Sequence, residues 1–334
     1  MSLFGRRTPV AQLPFEGRLP AFDGATGWLH SAPLTPADLR GEVVLFEFWT
    51  YTCINWLRTL GYVRAWARRY RDEGLVVVGV HTPEFPFEGD ADNVRRAAEA
   101  LDVDHPIALD PGYAVWSAFA NHYWPAIYIA DAEGRLRRHQ FGEGGYEECE
   151  RVVRRLLVEA GRRPSDDDLV SVAPTGLEAQ ADWEQLGSPE IYLGSEQARG
   201  FASPGGMAPA VARAYVAPVR LRLNHWALEG EWAVERRASV LHGEGGRLVI
   251  RFHARDVHLV MAPRSRGESI PFRVLLDGEP PGDAHGLDVD AHGDGSLVEP
   301  RLYQLIRRPG VVEDRTVEVR FGAPGAEAYV ATFG

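Results

Sequence analysis

Cysteine is scarce in this sequence, whose 334 residues contain only two, Cys53 and Cys149. Two thiols rule out a disulfide-stabilised scaffold and are typical of a protein in a reducing compartment. Apolar runs are short as well, and none approaches the ~18 residues that a membrane-spanning helix needs. Residues 1–17 contain two arginines but lack the apolar core of a secretory signal. We therefore expect no membrane span and, by default, a cytoplasmic protein.

The sequence also lacks an excess of basic residues. Its formal net charge is −11, and its basic clusters are interleaved with acids. Binding to nucleic-acid phosphates needs a basic surface, so we expect no nucleic-acid partner. A hydrophobic content of 45% and a charged content of 25% are those of a globular protein. The length suggests roughly two domains.

The chemistry of the chain is concentrated around Cys53. Residues 43–49 form an apolar run rich in β-branched and aromatic side chains, which predicts a buried parallel strand, and a helical period starts at Leu57. Cys53 thus lies at the N-terminus of a predicted helix, where unpaired N–H groups and the helix dipole favour the thiolate. Because the thiolate is the nucleophilic form of cysteine, the pattern predicts thiol chemistry.

The elements that follow complete an α/β pattern with an antiparallel end. They are predicted as a strand at 75–80, a helix at 93–101, an extended piece at 106–109, a helix at 113–119, a hairpin of residues 126–130 and 135–141, and a helix at 147–161. We expect this first domain to cover residues 1–162.

Residues 41–161 resemble thioredoxin-like proteins of the TlpA and DipZ type. The resemblance is carried by the segments WTYTCINWLRT, VVGVHTPEF, NHYWPA and FGEGGY. It implies a central mixed sheet with helices on both faces and a site where the strand before Cys53 ends. It also implies a cis-proline at Pro125, with Trp124 lining a groove for a peptide or disulfide. The alternative is that Trp124 and Pro125 simply start a strand in trans.

Two further side chains are candidates for this site. Glu47 lies within the apolar strand, where thioredoxins carry a buried acid, and the resemblance implies a proton shuttle beneath the thiol. A carboxylate held by local hydrogen bonds is the alternative. His81 directly follows the strand predicted at 75–80. It either stabilises the Cys53 thiolate, acts as an acid, or is bonded to the backbone.

Trp56 departs from the family pattern, because a dithiol oxidoreductase has its second cysteine at this position. Without it, a mixed disulfide at Cys53 has no adjacent thiol to release it. A monothiol enzyme would act on a disulfide substrate and need an external thiol or a partner protein. A peroxide reductase would oxidise Cys53 to a sulfenic acid. The spacing Thr50-x-x-Cys53 is similar to that of peroxiredoxins, although Phe46 replaces their proline. A binding module without turnover is the third possibility.

Cys149 is predicted to be a buried structural cysteine, since nothing in the sequence brings it within the roughly 7 Å of Cys53 that a disulfide requires. The catalytic candidates are thus Cys53 and Glu47, and the groove candidates are Thr50, Trp56, His81, Trp124 and Pro125. No cofactor is predicted.

The second half of the chain has a different character. Residues 163–215 are rich in turns and predict a linker that is anchored by Ile191, Leu193 and Phe201. Residues 216–334 contain at least seven short alternating segments, which predict an all-β domain, a jelly roll or β-sandwich. In DipZ-like relatives this region resembles a carbohydrate-binding module, which implies a possible glycan ligand and leaves an extracytoplasmic location open.

Aromatic and acidic residues of this half are ambiguous from the sequence alone. Trp226, Trp232 and Tyr303 either stack on a sugar or fill the core of the sandwich. The acidic residues between 288 and 294 have oxygens suited to calcium but lack a recognisable loop spacing. We therefore predict a solvated edge strand there and no metal site.

Overall fold

A computed structural model describes residues 12–164, 168–308 and 310–334. The chain forms two compact units. The first contains Met1–Tyr51, Thr59–Glu84 and Glu88–Val172, and the second contains Thr52–Arg58, Phe85–Phe87 and Ala173–Gly334. Within the described residues, no helix combines the length and the apolar character that crossing a membrane requires.

The first unit is built on a seven-stranded mixed sheet. Its elements, including a helix that starts in the segment 52–58, are β1 (Gly17–Arg18), β2 (Gly27–Leu29), β3 (Val43–Trp49), α1 (Ile54–Tyr70), β4 (Leu75–His81), α2 (Ala91–Ala100), β5 (Ile107–Leu109), α3 (Ala114–Ala118), β6 (Ala126–Ala130), β7 (Arg135–Phe141) and α4 (Tyr146–Glu159). The strand order is β1-β7-β6-β3-β4-β5-β2. Strand β4 pairs in parallel with β3 and β5, whereas β6 pairs antiparallel with β3. This is the mixed sheet that the sequence predicts.

Strand β3 is the fourth of the seven strands in this order, and both of its faces are covered. Val43 and Leu45 share a core with residues of α1 and α4. Val44, Phe46 and Phe48 face the other side and share a core with residues of α3. All seven residues of β3 are therefore buried, as a continuous apolar run predicts for a strand between two helical layers.

The predicted boundaries of these elements are close to those observed. Helix α2 begins two residues before the predicted position, because Asp90 caps it by accepting hydrogen bonds from the N–H groups of Asp92 (2.8 Å) and Asn93 (3.3 Å). Strand β7 has the predicted bounds.

The second unit is rich in antiparallel strands. Its strands are β8 (Ile191–Tyr192), β9 (Arg213–Tyr215), β10 (Trp226–Val234), β11 (Ser239–Leu241), β12 (Arg247–His253), β13 (Asp256–Pro263), β14 (Ile270–Leu276), β15 (Asp294–Leu297), β16 (Arg301–Arg307), β17 (Asp314–Phe321) and β18 (Ala326–Phe333). Their main order is β15-β14-β17-β12-β10-β11-β18-β13-β16. Strand β10 pairs with β12 through its first half and with β9 and β11 through its second. The predicted all-β architecture agrees with this arrangement, and the jelly-roll order stays a prediction.

Strand β10 changes partners at Gly230, which has a φ of 96°. A Cβ atom there would lie 3.2 Å from the Cα of Gly246. Glycine therefore serves both the backbone conformation and the close approach of the neighbouring turn.

The three aromatic residues with two possible roles lie in the core of the second unit. Trp226, Trp232 and Tyr303 are fully buried. The indole N–H groups of Trp226 and Trp232 donate to the carbonyls of Arg199 and Glu229, each at 2.9 Å. A ring without an exposed face cannot stack on a sugar, so the structure supports the core interpretation.

Much of the predicted linker takes part in the second unit, which includes the chain from Ala173 onward. Ile191 and Leu193 are buried in its core, and the ring of Phe201 lies 4.8 Å from that of Trp226. These are the apolar anchors that the sequence indicates.

The acidic stretch ends in β15, which lies at the edge of the strand order. Asp290 accepts hydrogen bonds from the N–H groups of His292 and Asp294, both at 2.9 Å. Asp294 also pairs with Arg273. Among the described residues, no group of three or more histidine, cysteine or acidic side chains is placed to hold a metal ion.

Candidate thiol site

Cys53 directly precedes helix α1. Its carbonyl accepts a hydrogen bond from the N–H of Leu57 at 3.0 Å, which places Cys53 at the N-terminal end of the helix. Its side chain is partly exposed, and the first turn of α1 contains no acidic residue. Cys53 thus has the position at a helix N-terminus that the sequence predicts, and its reactivity stays a prediction.

Trp56 lies in the same turn and is fully buried. The position that would carry a resolving thiol is thus filled by an indole.

The other thiol, that of Cys149, lies in the core of the first unit. It is fully buried among residues that include Val43, Leu45 and Val63. Burial raises the pKa of Cys149, although a hydrogen bond from Arg138 works in the opposite direction. These surroundings support the structural role that the sequence indicates.

Glu47 contacts a histidine that the sequence does not reveal. Its Oε1 lies 2.9 Å from Nε2 of His105, and the two side chains are 0% and 3% exposed. Glu47 lies opposite Gly79 on β4, and Gly79 lies opposite Ile107 on β5. This register brings His105, two residues before Ile107, close to Glu47.

Gly79 provides the space for this pair. A Cβ atom there would lie 2.7 Å from Nε1 of Trp49 and 3.3 Å from Nε2 of His105. A glycine inside an otherwise apolar strand was the signal in the sequence that could have indicated a close approach.

His81 is buried at the end of β4. Its ring lies edge-on to Trp49 at 4.7 Å and is stacked with Tyr51 at 5.7 Å. Burial lowers the pKa of His81 to about 3, so the imidazole is neutral near pH 7. Of its three predicted roles, a positive charge that stabilises a thiolate does not fit this environment.

The Trp124–Pro125 peptide bond is cis, as the resemblance implies. The carbonyl of Pro125 accepts a hydrogen bond from the N–H of Gly142 at 2.8 Å. The indole N–H of Trp124 donates to the carbonyl of Thr82 at 3.0 Å, and its ring lies 4.3 Å from that of Trp116. The loop that contains Pro125 is thus bonded both to the residue after β4 and to the turn after β7.

Thr50 follows β3 and is fully buried. Its hydroxyl has no hydrogen-bond partner among the described residues. Within the first unit, Glu47 contacts His105, and Trp124 donates a hydrogen bond to Thr82. Cys53 and Trp56 belong to a segment of the second unit. The convergence of all these residues on Cys53 stays a prediction.

Comparison with known proteins covers both halves of the chain. Residues 188–334 match a family described as the thioredoxin like C-terminal domain. Protein DipZ of Mycobacterium tuberculosis (strain CDC 1551 / Oshkosh) is 37% identical over 274 residues, which are 81% of this chain and 38% of DipZ. The chain thus spans less than half of that relative. A solution structure of a thioredoxin-like protein in the oxidized form is 33% identical, with a TM-score of 0.40, over 43% of this chain and 96% of that chain.

A shorter relative is matched almost from end to end. The thiol-disulfide oxidoreductase YkuV of Bacillus subtilis (strain 168) is 33% identical over 142 residues, which are 42% of this chain and 95% of YkuV. With this identity over nearly the whole of that relative, the chain belongs to the thioredoxin-like family of thiol-disulfide oxidoreductases.

Proposed function

We propose that this protein is a thiol-disulfide oxidoreductase that reacts through Cys53 alone and needs an external thiol to complete turnover. The observation that carries the proposal is the contrast between three positions. Cys53 is partly exposed at the start of α1, position 56 holds a buried tryptophan, and Cys149 is buried in the core. One sulfur is accessible for reaction, and its usual neighbour is missing.

The reaction follows thiol-disulfide exchange. The Cys53 thiolate attacks one sulfur of the substrate disulfide, the substrate S–S bond breaks, and one half leaves as a thiolate. An external thiolate then attacks the mixed disulfide and expels Cys53, which regains its electron pair. A second external thiol reduces the released mixed disulfide. The substrate gains two electrons, and two external thiols are oxidised to one disulfide.

The surrounding residues have distinct proposed roles. Trp124 and the cis-Pro125 backbone form the proposed groove for the substrate. Glu47, in contact with His105, has the proposed role of a proton shuttle. His81 is buried and neutral, which supports a packing role for its ring within the first unit.

The test compares Cys53→Ser with the matched variant Cys149→Ser. Reduction of a chromogenic aromatic disulfide is measured with and without glutathione. We expect turnover only with glutathione, its loss in Cys53→Ser, and its retention in Cys149→Ser. Turnover that survives in Cys53→Ser would overturn the proposal.

Peroxide reduction is a second candidate, and the buried Thr50 hydroxyl without a partner among the described residues favours it. The Cys53 thiolate would attack one peroxide oxygen, and the O–O bond would break. Hydroxide would be the leaving group, and Cys53 would become a sulfenic acid. Two external thiols would then restore Cys53 as water leaves. The same variants tested with hydrogen peroxide decide between the candidates, because this function predicts faster turnover on peroxide and its loss in Thr50→Val.

A further inference from the structure

The second unit has a buried polar face. On β13, Leu259 points into the apolar core, so the preceding residue, His258, points to the opposite face. His258 lies opposite Thr332 of β18 and Gln304 of β16. These three side chains are between 0% and 4% exposed. An outward sheet face with polar side chains is normally in contact with water, so this face is unusual in being covered.

The segment 52–58 belongs to this unit, and its Arg58 is close enough to His258 for the two to interact electrostatically. Arg58 is 1% exposed, and its Nη2 donates to the carbonyl of Phe333, at the end of β18, at 3.3 Å. A Cβ atom at Gly334 would collide with the guanidinium. Arg58 is therefore packed closely against the end of β18.

Electrostatic effects agree with this position. Burial lowers the pKa of His258 to about 3, and the charge of Arg58 acts in the same direction. The nearby carboxylate of Asp256 is fully buried and bonded to Arg255 at 2.7 Å and to Arg307 at 2.9 Å. Glu190 also experiences the charge of Arg58.

The same strand holds the other short segment of the second unit. The ring of Tyr329 on β18 lies 5.0 Å from that of Phe85 and 4.9 Å from that of Phe87. Strand β18 thus contacts both segments that the second unit takes from the first half of the chain. These segments follow β3 and β4 in the sequence.

Arg58 is close to Cys53 along the helix. It follows Leu57, whose N–H donates to the carbonyl of Cys53. A buried guanidinium requires well-placed acceptors and is a costly way to fill space, whereas its planar group fixes orientation well. We propose that Arg58 is a positioning residue for Cys53, which holds the first turn of α1 on β18 and so sets the orientation and reactivity of the thiol. This inference rests on the proposed role of Cys53 as the nucleophile.

The test measures the rate at which Cys53 reacts with iodoacetamide between pH 5 and pH 10, by mass spectrometry of the peptide that contains it. Arg58→Met removes the charge and keeps most of the stem. The control is Arg68→Met, on the same helix, where an exposed arginine pairs with Asp102. In Arg58→Met we expect the pH midpoint to rise by about 0.5 to 1, which is a roughly three- to ten-fold lower thiolate fraction below the midpoint.

The outcomes separate this inference from the proposed function. A midpoint in folded Arg58→Met that matches the Arg68→Met control overturns the positioning role, even if Cys53 is reactive. An unreactive Cys53 in the unmodified protein overturns both. Should Arg58→Met not fold, Arg58→Lys decides alone. A midpoint displaced beyond that of the control supports the proposal, and one within its range overturns it.

Discussion

At the scale of single residues, the chain has Trp56 at the position where the resemblance implies a second cysteine. Positions 53 and 56 span the first turn of α1, so side chains there are neighbours on the helix surface. Trp56 fills its place completely and is fully buried. Its side chain therefore contributes to stability at a position where the dithiol members of the family have their resolving thiol.

Replacing Trp56 by cysteine should restore the second half of the reaction. Residues three apart at a helix start lie within the Cα separation that a disulfide allows. With a chromogenic disulfide and no external thiol, the unmodified protein should release one thiol equivalent and keep an adduct. Trp56→Cys should release two equivalents and keep none. The variant should also lose about 3 kcal/mol or more of unfolding free energy, because a large buried ring is removed. An adduct that persists in Trp56→Cys would show that the turn does not bring the two sulfurs together.

At the scale of elements, strand β4 lies between β3, which contains Glu47, and β5, which follows His105. Gly79 at its centre leaves the space that Trp49 and His105 occupy. The Glu47–His105 contact thus depends on the packing of three strands as well as on the two residues.

Gly79→Ala should lower the free energy of unfolding by about 1 to 3 kcal/mol, because the added methyl group forces Trp49 or His105 to move. The matched control is Gly89→Ala, since a Cβ atom there meets nothing within 4 Å. Urea unfolding of both variants provides the measurement. Equal stability of the two variants would contradict the close approach at Gly79.

At the scale of the whole molecule, the two units each contain a buried histidine. Burial lowers the pKa of both His81 and His258 to about 3. Below pH ~6.5 the unfolded chain takes up protons at these positions and the folded protein does not. Their contribution to stability is therefore complete above pH ~6.5 and is lost as the pH falls toward about 3.

This linkage predicts a slope in acid. Each histidine should lower the free energy of unfolding by about 1.4 kcal/mol per pH unit between pH ~6 and pH ~4. His81→Gln and His258→Gln should each flatten that slope when urea unfolding is repeated across the range. If the slope is unchanged in both variants, the two histidines are protonated in the folded protein.

Local patterns allow the sequence to predict much of the fold and part of the site. The apolar run of β3, the turn before β7 and the segment around Pro125 depend on neighbouring residues, so they can be predicted. The partner of Glu47 cannot, because His105 reaches it only through the pairing of β4 with β5. Arg58 likewise looks like one of several arginines on α1, and only its packing against β18 distinguishes it. The roles of Trp226, Trp232 and Tyr303 required knowledge of their burial.

The chain passes between the two units at 51/52, 58/59, 84/85, 87/88 and 172/173. Each unit is therefore made of several separate stretches of chain, and recombination could not exchange one unit as a single continuous segment. A new C-terminal half would have to supply a β18 that accepts the arginine and the two phenylalanines of a foreign N-terminal half. The halves are thus expected to be inherited together, with changes in β18 compensated in the two short segments that it holds.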